Sequence, residues 1–333
     1  GSPQLLKLLP KIHLNKRIGL SATPDRIYDT ESNKGIDAFF NDTSPYVYSL
    51  SMKQAIDQGF LCRYMYYPHI VKLDEDEQEA YDSITKSLLP FFNKSELSKS
   101  ERANYEMLLL KRKRIIHKAR RKLPAFKGIL KREFEKTGNL NYTLVYVPEG
   151  IEPNYVEEDF NTENEDEKDL IDEYTRAVSS INKSLFVKQF TSKSKNRDQI
   201  SKDFRDGKIN VLTSMKCLDE GVDIPQSKMA IFCASTGNPR QFIQRRGRVL
   251  RKAEGKNMAI IHDLVVIPFS QSEESSFREM DRSLVKNELS RVVNFAFLAE
   301  NKMATFAAFL DICKEYNLNL YEIHEGITNQ KQL

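Results

Sequence analysis

The sequence predicts a protein of the α/β class, with a parallel sheet flanked by helices, a basic helical insertion and a helical C-terminal region. Short apolar segments alternate with amphipathic ones in the second half of the chain, which is typical of strand–helix–strand units. Segments 229–234 and 258–266 are apolar almost throughout, as in strands covered on both faces. With 333 residues, 40% of them apolar, the chain has ample material for such a core.

The first part of the chain predicts loops, strands and long helices. Proline cannot continue regular structure, so the strand predicted over 17–21 ends before Pro24. Gly59 occupies a typical C-terminal capping position of the helix predicted over 51–58. Apolar residues at helical spacing, such as Leu108 and Ile115, continue until Pro124 interrupts them. The predicted elements are a strand over 17–21, a helix over 51–58, a strand over 61–73 and helices over 77–136.

From residue 143 onward the pattern changes to short apolar strands between helices. Asn238 and Pro239 form a good helix start, an N-cap residue followed by proline at the first helical position. This alternation implies parallel strands joined by right-handed crossovers. The predicted strands cover 143–147, 185–189, 209–213, 229–234 and 258–266, the predicted helices cover 197–205 and 239–250, and a helical region runs from 277 to about 316.

Charge is distributed unevenly along the chain, although the net charge is only +4. Residues 101–136 contain thirteen Lys and Arg against four Glu, whereas residues 149–173 contain twelve Asp and Glu against one Lys. The basic segment predicts either a solvated helix face or a surface for nucleic-acid phosphates, and the sequence leaves both open. The acidic segment is typical of an exposed or disordered loop.

The composition argues against several classes of protein. No segment approaches the ~18–20 apolar residues of a membrane span, and no signal peptide is recognisable. The four cysteines are widely spaced, with no C-x-x-C pair, so we expect neither structural zinc nor a disulfide framework. We therefore expect a cytoplasmic protein, with association with the nucleoid left open. Gly1-Ser2 looks like the remnant of an expression tag, so we also expect the chain to be a piece of a longer protein.

Parallel α/β proteins commonly bind phosphate groups through recognisable sequence motifs. The sequence contains no G-x-x-x-x-G-K-[ST] loop and no acidic box of the D-E-x-H kind. The acidic run 74–77 heads a predicted helix and lacks a preceding buried strand. We therefore expect no metal site in this chain, and we do not expect it to hold Mg²⁺ and ATP alone as a complete P-loop enzyme does.

The segment from Gln244 to Arg251 predicts a cationic helix. Arg248 and Arg251 are three residues apart and so share one helical face. Two guanidinium groups aimed together suit a polyphosphate, since each can make paired, charge-assisted hydrogen bonds. The alternative for this segment is a surface helix with structural ion pairs.

Four segments, taken in order, resemble the second half of a superfamily 2 helicase of the DEAD/DEAH type. Residues 19–26 (GLSATPDR) resemble motif III, and residues 144–147 resemble motif IV. The stretch 204–225, which includes LDEGVDIP, resembles motif V with its lead-in, and residues 244–251 (QRRGRVLR) resemble motif VI. The likeness covers most of residues 15–265 and points to XPB-like and UvsW-like DNA helicases or to the motor subunits of restriction systems.

The resemblance implies a RecA-like domain that completes an ATP site together with a preceding domain. That preceding domain would carry the phosphate loop and the Mg²⁺ carboxylate, so ATP and Mg²⁺ would bind only in its presence. Arg248 and Arg251 would be the catalytic arginine fingers, which neutralise charge on the γ-phosphoryl group. Gln244 would lie near the γ-phosphate, and Gly221 and Asp223 near the nucleotide, with Asp223 by the ribose. Gly221 could alternatively serve only as a turn.

Two further groups of residues follow from the same resemblance. Ser21, Ala22 and Thr23 would couple the state of ATP to the grip on nucleic acid, although Thr23 could instead cap a helix or loop. Hydroxyl groups often bind backbone phosphates without reading sequence. The residues that would contact nucleic acid in this way, or through a guanidinium group, are Thr213, Ser214, Arg26 and Arg240.

The order of the motifs predicts the domain organisation. Motifs I, Ia and II are absent, and motif III lies close to the first residue of the chain. Residues 1–44 would be the tail of the first RecA-like domain, and residues 45–270 the second RecA-like domain. The basic helical insertion would occupy residues 77–136 within it, and residues 271–333 would form a helical extension.

The sequence thus predicts the C-terminal motor domain of an ATP-dependent DNA helicase or translocase, inactive without its first domain. The alternative is a non-catalytic nucleic-acid or protein-binding module with a RecA-like fold. DNA, duplex or single-stranded, is favoured over RNA for two reasons. The motif III-like segment and residues 46–61, at the entry to the predicted second domain, look XPB-like, and Gln244 replaces the histidine usual in DEAD-box proteins. Other subunits of a repair or defence complex are candidate partners, whereas a membrane is not expected as a partner. The pathway, whether repair, restriction or phage defence, stays open.

Overall fold

The computed structural model describes residues 12, 14–21, 30–43, 46–92, 94, 96–149, 170–215, 223–234, 239–269 and 275–329. Within them, six parallel strands form one sheet in the order β1-β6-β5-β2-β4-β3. The strands are β1 Arg63–Val71, β2 Thr143–Tyr146, β3 Val187–Gln189, β4 Val211–Ser214, β5 Met229–Phe232 and β6 Met258–Val266. The predicted α/β class, a parallel sheet flanked by helices, is confirmed.

Helices make up most of the remaining described chain. Two of them begin with complete capping boxes, in which Ser51 exchanges hydrogen bonds with Gln54, and Ser98 with Glu101. The described helices are α1 Thr30–Phe40, α2 Met52–Asp57, α3 Glu75–Phe92, α4 Lys99–Lys118, α5 Lys122–Thr137, α6 Leu170–Ile181, α7 Arg197–Arg205, α8 Pro239–Val249, α9 Ser275–Ala296, α10 Lys302–Ala307, α11 Leu310–Glu315 and α12 Leu320–Asn329.

The sheet separates two apolar layers, because successive strand residues point to opposite faces. One layer packs against α3 to α6 and includes Val71, Leu264 and Val266. The other packs against α7 to α12 and includes Tyr64 and Tyr66. Every residue of β2, β4 and β5 is buried, as the apolar run 229–234 predicts for β5.

The carboxyl ends of the central strands lie side by side. Tyr146, the last residue of β2, is in register with Ser214 of β4 and with Phe232 of β5. The rings of Tyr146 and Phe232 stack with centroids 4.9 Å apart. Helix α8 follows β5 and packs over this edge, where parallel α/β sheets commonly bind ligands.

A compact set of ion pairs joins two parts of the basic helical region. The Arg120 guanidinium lies 2.8 Å from Asp74 and 3.1 Å from Asp76. The buried Glu77 accepts a hydrogen bond from the Arg120 backbone N–H at 2.8 Å. The acidic run 74–77 therefore joins the start of α3 to the turn between α4 and α5.

The structure corrects three sequence-based expectations. Residues 17–21 do not form a strand, and Ile18 is 88% exposed, because no described strand pairs with them. The long helical region breaks at residues 119–121 rather than at Pro124, which lies in the first turn of α5 where its missing N–H costs nothing. The C-terminal region is four helices rather than one continuous helical run.

The break after α9 has a structural cause at the edge of the sheet. The Asn301 side chain donates to the Tyr66 carbonyl at 2.8 Å and accepts from the Tyr66 N–H at 2.9 Å. The Glu300 N–H donates to the Tyr64 carbonyl at 3.0 Å. The chain thus leaves its helix to satisfy the open edge of β1, which would otherwise present unpaired backbone groups.

Two other properties of the described chain bear on its class. Cys62, Cys233 and Cys313 are buried free thiols. Among the described helices, none has both the length and the apolar character that crossing a membrane requires.

Candidate functional site

The candidate site is built on helix α8 and the residues just after it. Two of its arginines, Arg245 and Arg246, are only 2% and 4% exposed. Arg245 donates to the Met215 carbonyl at 3.3 Å, and its guanidinium lies 4.7 Å from the centre of the Tyr146 ring. Arg246 donates to the Asn294 carbonyl, and its guanidinium lies 5.0 Å from the Phe295 ring centre. These two side chains fix α8 to the carboxyl ends of the strands and to α9.

The other two arginines face outward. Arg248 is half-buried, as is Gln244 one turn earlier. Arg251 follows the end of α8, and its guanidinium lies 2.5 Å from an Asp223 carboxylate oxygen, with the two side chains 43% and 70% exposed. Arg205 donates to the Asp223 carbonyl at 3.3 Å. The structure therefore brings together Arg251 of the motif VI-like segment and Asp223 of the motif V-like segment.

The predicted nucleic-acid residues of β4 lie at the carboxyl end of that strand. Thr213 is fully buried, and its hydroxyl oxygen lies 2.8 Å from that of Thr175 in α6. Ser214 is also fully buried, and its hydroxyl has no hydrogen-bond partner among the described residues. Their contact with a backbone phosphate stays a prediction.

Several predicted site residues fall outside what can be described. Ala22, Thr23, Arg26 and Gly221 lie outside the described residues, and Arg240 is described only as part of the first turn of α8. Ser21 is exposed. The coupling role of residues 21–23, and the contacts of Arg26, Arg240 and Gly221, therefore stay predictions.

The chemistry of this site fits a polyphosphate better than a metal ion. Guanidinium groups bind phosphate oxygens through paired hydrogen bonds and keep their charge at any physiological pH. The described parts of the chain contain no group of three or more His, Cys, Asp or Glu residues able to hold a metal. The acidic run 74–77 is engaged with Arg120.

Sequence reasoning missed a buried charge cluster behind the site. Asp263 of β6 accepts hydrogen bonds from the Tyr66 hydroxyl at 2.8 Å and from Arg291 Nε at 3.0 Å. Arg291 is also 2.9 Å from Glu288. Burial opposes the charge of Arg291, but Asp263 and Glu288 outweigh it and raise the pKa of the guanidinium. The signal was present: an aspartate inside an apolar strand requires a buried partner.

Sequence reasoning also missed Lys256. It is 3% exposed and lies in the turn between α8 and β6, where its ammonium group contacts only backbone carbonyls among the described residues. Nothing in the local sequence distinguishes it from the neighbouring exposed Lys252. Gly255, with φ of +68°, makes the turn that returns Lys256 beneath the helix end.

The structure thus places partly exposed arginines near the carboxyl ends of parallel strands, beside Asp223, at an edge where parallel α/β sheets commonly bind ligands. Residues 162–253 match the family model described as "Helicase conserved C-terminal domain". This match and the similar proteins below support the predicted resemblance to the C-terminal half of a superfamily 2 helicase.

Similar proteins include a "DNA 3'-5' translocase XPB2" from Sulfurisphaera tokodaii, 26% identical over 73% of this chain and 52% of that protein. An "ATP-dependent DNA helicase MPH1" from Scheffersomyces stipitis is 39% identical over 24% of this chain and 7% of its own length. This chain thus spans about half of the first relative and less than a tenth of the second. A solved fragment of a restriction-enzyme HsdR subunit from Vibrio vulnificus superposes with a TM-score of 0.45 at 20% identity, covering 73% of this chain and 38% of the other.

Proposed function

We propose that this chain is the C-terminal motor domain of an ATP-dependent DNA helicase or translocase. The observation that carries the proposal is the placement of Arg251 beside Asp223 at the end of α8, with Arg248 one turn earlier. In this proposal the chain contributes half of an ATP site, and a preceding domain contributes the phosphate loop and the Mg²⁺ carboxylate.

The proposed roles follow from charge and position. Arg248 and Arg251 are arginine fingers, which stabilise the charge that develops on the γ-phosphoryl oxygens in the transition state. Gln244 contacts the γ-phosphate side, while Asp223 and Gly221 line the nucleotide. ATP supplies the phosphoryl group, and this chain supplies fixed positive charge that costs no reorganisation during reaction. When nucleotide enters, Arg251 exchanges its contact with Asp223 for one with phosphate.

DNA is the proposed nucleic-acid partner. Two similar proteins carry names that state action on DNA, a DNA translocase and a DNA helicase. Thr213, Ser214, Arg26 and Arg240 are the proposed contacts to backbone phosphates, and residues 21–23 are proposed to couple them to the ATP site. Membership in a repair, restriction or defence complex is proposed only as the setting in which such motors work.

The test is ATP hydrolysis by the full-length protein with duplex DNA, single-stranded DNA, RNA or no nucleic acid. We expect turnover stimulated by DNA, and a loss of at least about a hundredfold for Arg248→Ala, since a finger is worth ~10³–10⁵ in rate. Arg176→Ala is the matched control, because Arg176 is an exposed arginine on α6. Turnover that is indifferent to DNA and to Arg248 would contradict the motor and favour a non-catalytic binding module.

This chain alone is expected to bind ATP weakly and to hydrolyse it negligibly. A clean preparation of these 333 residues should show no turnover above that of Arg248→Ala. Turnover that Arg248→Ala abolishes would contradict the proposal that a preceding domain completes the site.

We also propose that the basic helices α4 and α5 contact DNA phosphates. Arg114 and Arg121 are exposed, whereas Lys111 and Lys118 are half-buried. Neutralising all four should flatten the dependence of DNA affinity on salt, since each lost phosphate contact lowers the slope by about 0.9. The control neutralises exposed lysines elsewhere, namely Lys183, Lys188, Lys286 and Lys314. An unchanged slope in the first variant would refute this contact.

A further inference from the structure

Lys256 makes an unusual set of contacts for a buried lysine. Its Nζ donates to the carbonyl oxygens of Pro225 at 3.0 Å, Val249 at 2.6 Å and Arg251 at 2.8 Å. An ammonium group has three N–H donors, so these three carbonyls use all of them. The described structure gives Lys256 no carboxylate within 4 Å, and its charge is balanced by carbonyl dipoles.

These carbonyls belong to the end of α8 and to the motif V-like segment. The last carbonyls of a helix lack partners within the helix and must be satisfied from outside. The carbonyls of Val249 and Arg251 accept hydrogen bonds from Lys256 Nζ. The Leu250 carbonyl between them accepts a hydrogen bond from the Cys62 N–H at 2.9 Å. The end of α8 is therefore bonded to two other parts of the chain, Lys256 and the backbone of Cys62.

The same contacts fix the residues of the candidate site. Arg251 is held at its carbonyl by Lys256 and at its guanidinium by Asp223. Asp223 lies two residues before Pro225, whose carbonyl is the third acceptor of Lys256. The Lys256 ammonium group thus joins the backbone of Arg251 to the backbone of residues 223–225, which carries Asp223, the acidic partner of Arg251.

We propose that Lys256 is a positioning residue that holds the end of α8 against residues 223–225, so that the backbones of Arg251 and Asp223 keep a fixed relative position while the Arg251 guanidinium exchanges Asp223 for phosphate. Its catalytic consequence rests on the proposed function, because Arg251 affects turnover only if it faces a nucleotide. The structural part stands on the three hydrogen bonds alone. A cationic C-terminal contact also suits the negative end of the helix dipole.

The protonation state of Lys256 gives this arrangement a pH signature. Burial lowers the pKa of Lys256 to about 8, with the nearby Cys62 opposing the shift and Lys228 adding to it. Above that pH the neutral amine keeps only two N–H donors for three carbonyls. Further charged groups close to the helix end are Lys252, Arg251, Asp223 and Arg205.

The first test is made on this chain and does not depend on catalysis. Lys256→Met keeps the length of the side chain and removes its donors, Lys256→Arg keeps a cation, and Lys252→Met is the control at an exposed neighbour. We expect amide hydrogen exchange of the Cys62 N–H, in the peptide 59–64, to be at least about tenfold faster in Lys256→Met only. Unchanged exchange in folded Lys256→Met would overturn the proposal.

The second test measures steady-state ATP turnover in the full-length protein. We expect kcat of Lys256→Met to fall at least about thirtyfold, with KM for ATP changed less than about threefold, because finger placement acts on the transition state. Wild-type kcat should fall as pH rises from 7 to 9, whereas kcat of Lys256→Arg should not. Equal kcat in wild type and Lys256→Met would overturn the catalytic role. Absence of turnover in the wild type would contradict the proposed function, and the exchange experiment would still decide the structural role.

Discussion

Replacing Arg291 by methionine is expected to lower the free energy of unfolding by about 3–5 kcal/mol, because it breaks a buried ion pair from one side. The two side chains of this pair are almost completely removed from solvent, 1% exposed for Asp263 and 4% for Arg291. Asp263 would keep the neutral Tyr66 hydroxyl as its donor, 2.8 Å from Oδ2. A buried carboxylate that accepts a hydrogen bond from only one neutral donor has a poorly stabilised charge. This cost accounts for the size of the expected loss in the free energy of unfolding.

The matched comparison is Arg251→Met, which removes a shorter ion pair at the surface, 2.5 Å against 3.0 Å. Its partners are 43% and 70% exposed, so we expect a loss below about 1 kcal/mol. Urea unfolding at pH 7, with equal m-values required for all variants, measures both changes. The double variant Asp263→Asn with Arg291→Met should recover part of the loss, since it removes the stranded charge. If the two single variants differ by less than about 1 kcal/mol, burial does not set the value of these pairs and the reasoning fails.

Two further predictions concern a glycine pair and the response to acid. Gly128→Ala, within α5, should raise the free energy of unfolding by about 0.5–1 kcal/mol, because alanine restricts the unfolded chain and fits a helix interior. Gly138→Ala should lower it by about 1 kcal/mol, because Gly138 has φ of +71°. Urea titrations that rank the two variants the other way would contradict this. Burial, aided by the cationic Arg132, lowers the pKa of His69 to about 4 and of His262 to about 3, so the unfolded chain binds more protons below pH 6.5. These two histidines together should therefore lower the free energy of unfolding by about 4 kcal/mol from pH 7 to pH 5, about 2 kcal/mol each, and His262→Gln should remove about half of that fall.

The elements that sequence predicted well are those whose local pattern agrees with their surroundings. Strand β5 is buried throughout, as its apolar run indicated. Helix α2 is followed by Gly59 in the left-handed conformation, as its predicted capping position required. The errors arose where tertiary contacts decide. Residues 17–21 have a strand composition without a neighbouring strand, and Asn301 ends a helical pattern by bonding to Tyr66.

The candidate site could be predicted only as a set of residue types. Sequence spacing predicted Arg248 and Arg251 on one helical face, but α8 ends at Val249 and Arg251 lies beyond it. The spacing also could not show that Arg251 meets Asp223, since that contact joins residues 28 positions apart. Lys256 was unpredictable for a physical reason. Its partners are backbone carbonyls, which every residue has, so no sequence pattern marks them.

The segment from Gln244 to Arg251 shows that four arginines in eight residues need not share one function. Arg245 and Arg246 are buried, donate to backbone carbonyls and face aromatic rings, so they act as structural cations. The other two remain partly exposed, and one of them is paired through a contact that a phosphate can replace. A guanidinium serves both purposes because its five donors satisfy carbonyls as well as anions. Substituting the buried pair should therefore reduce stability, while substituting the outward pair should leave stability nearly unchanged and alter the proposed turnover. Burial thus separates the two roles where sequence alone shows only a basic run.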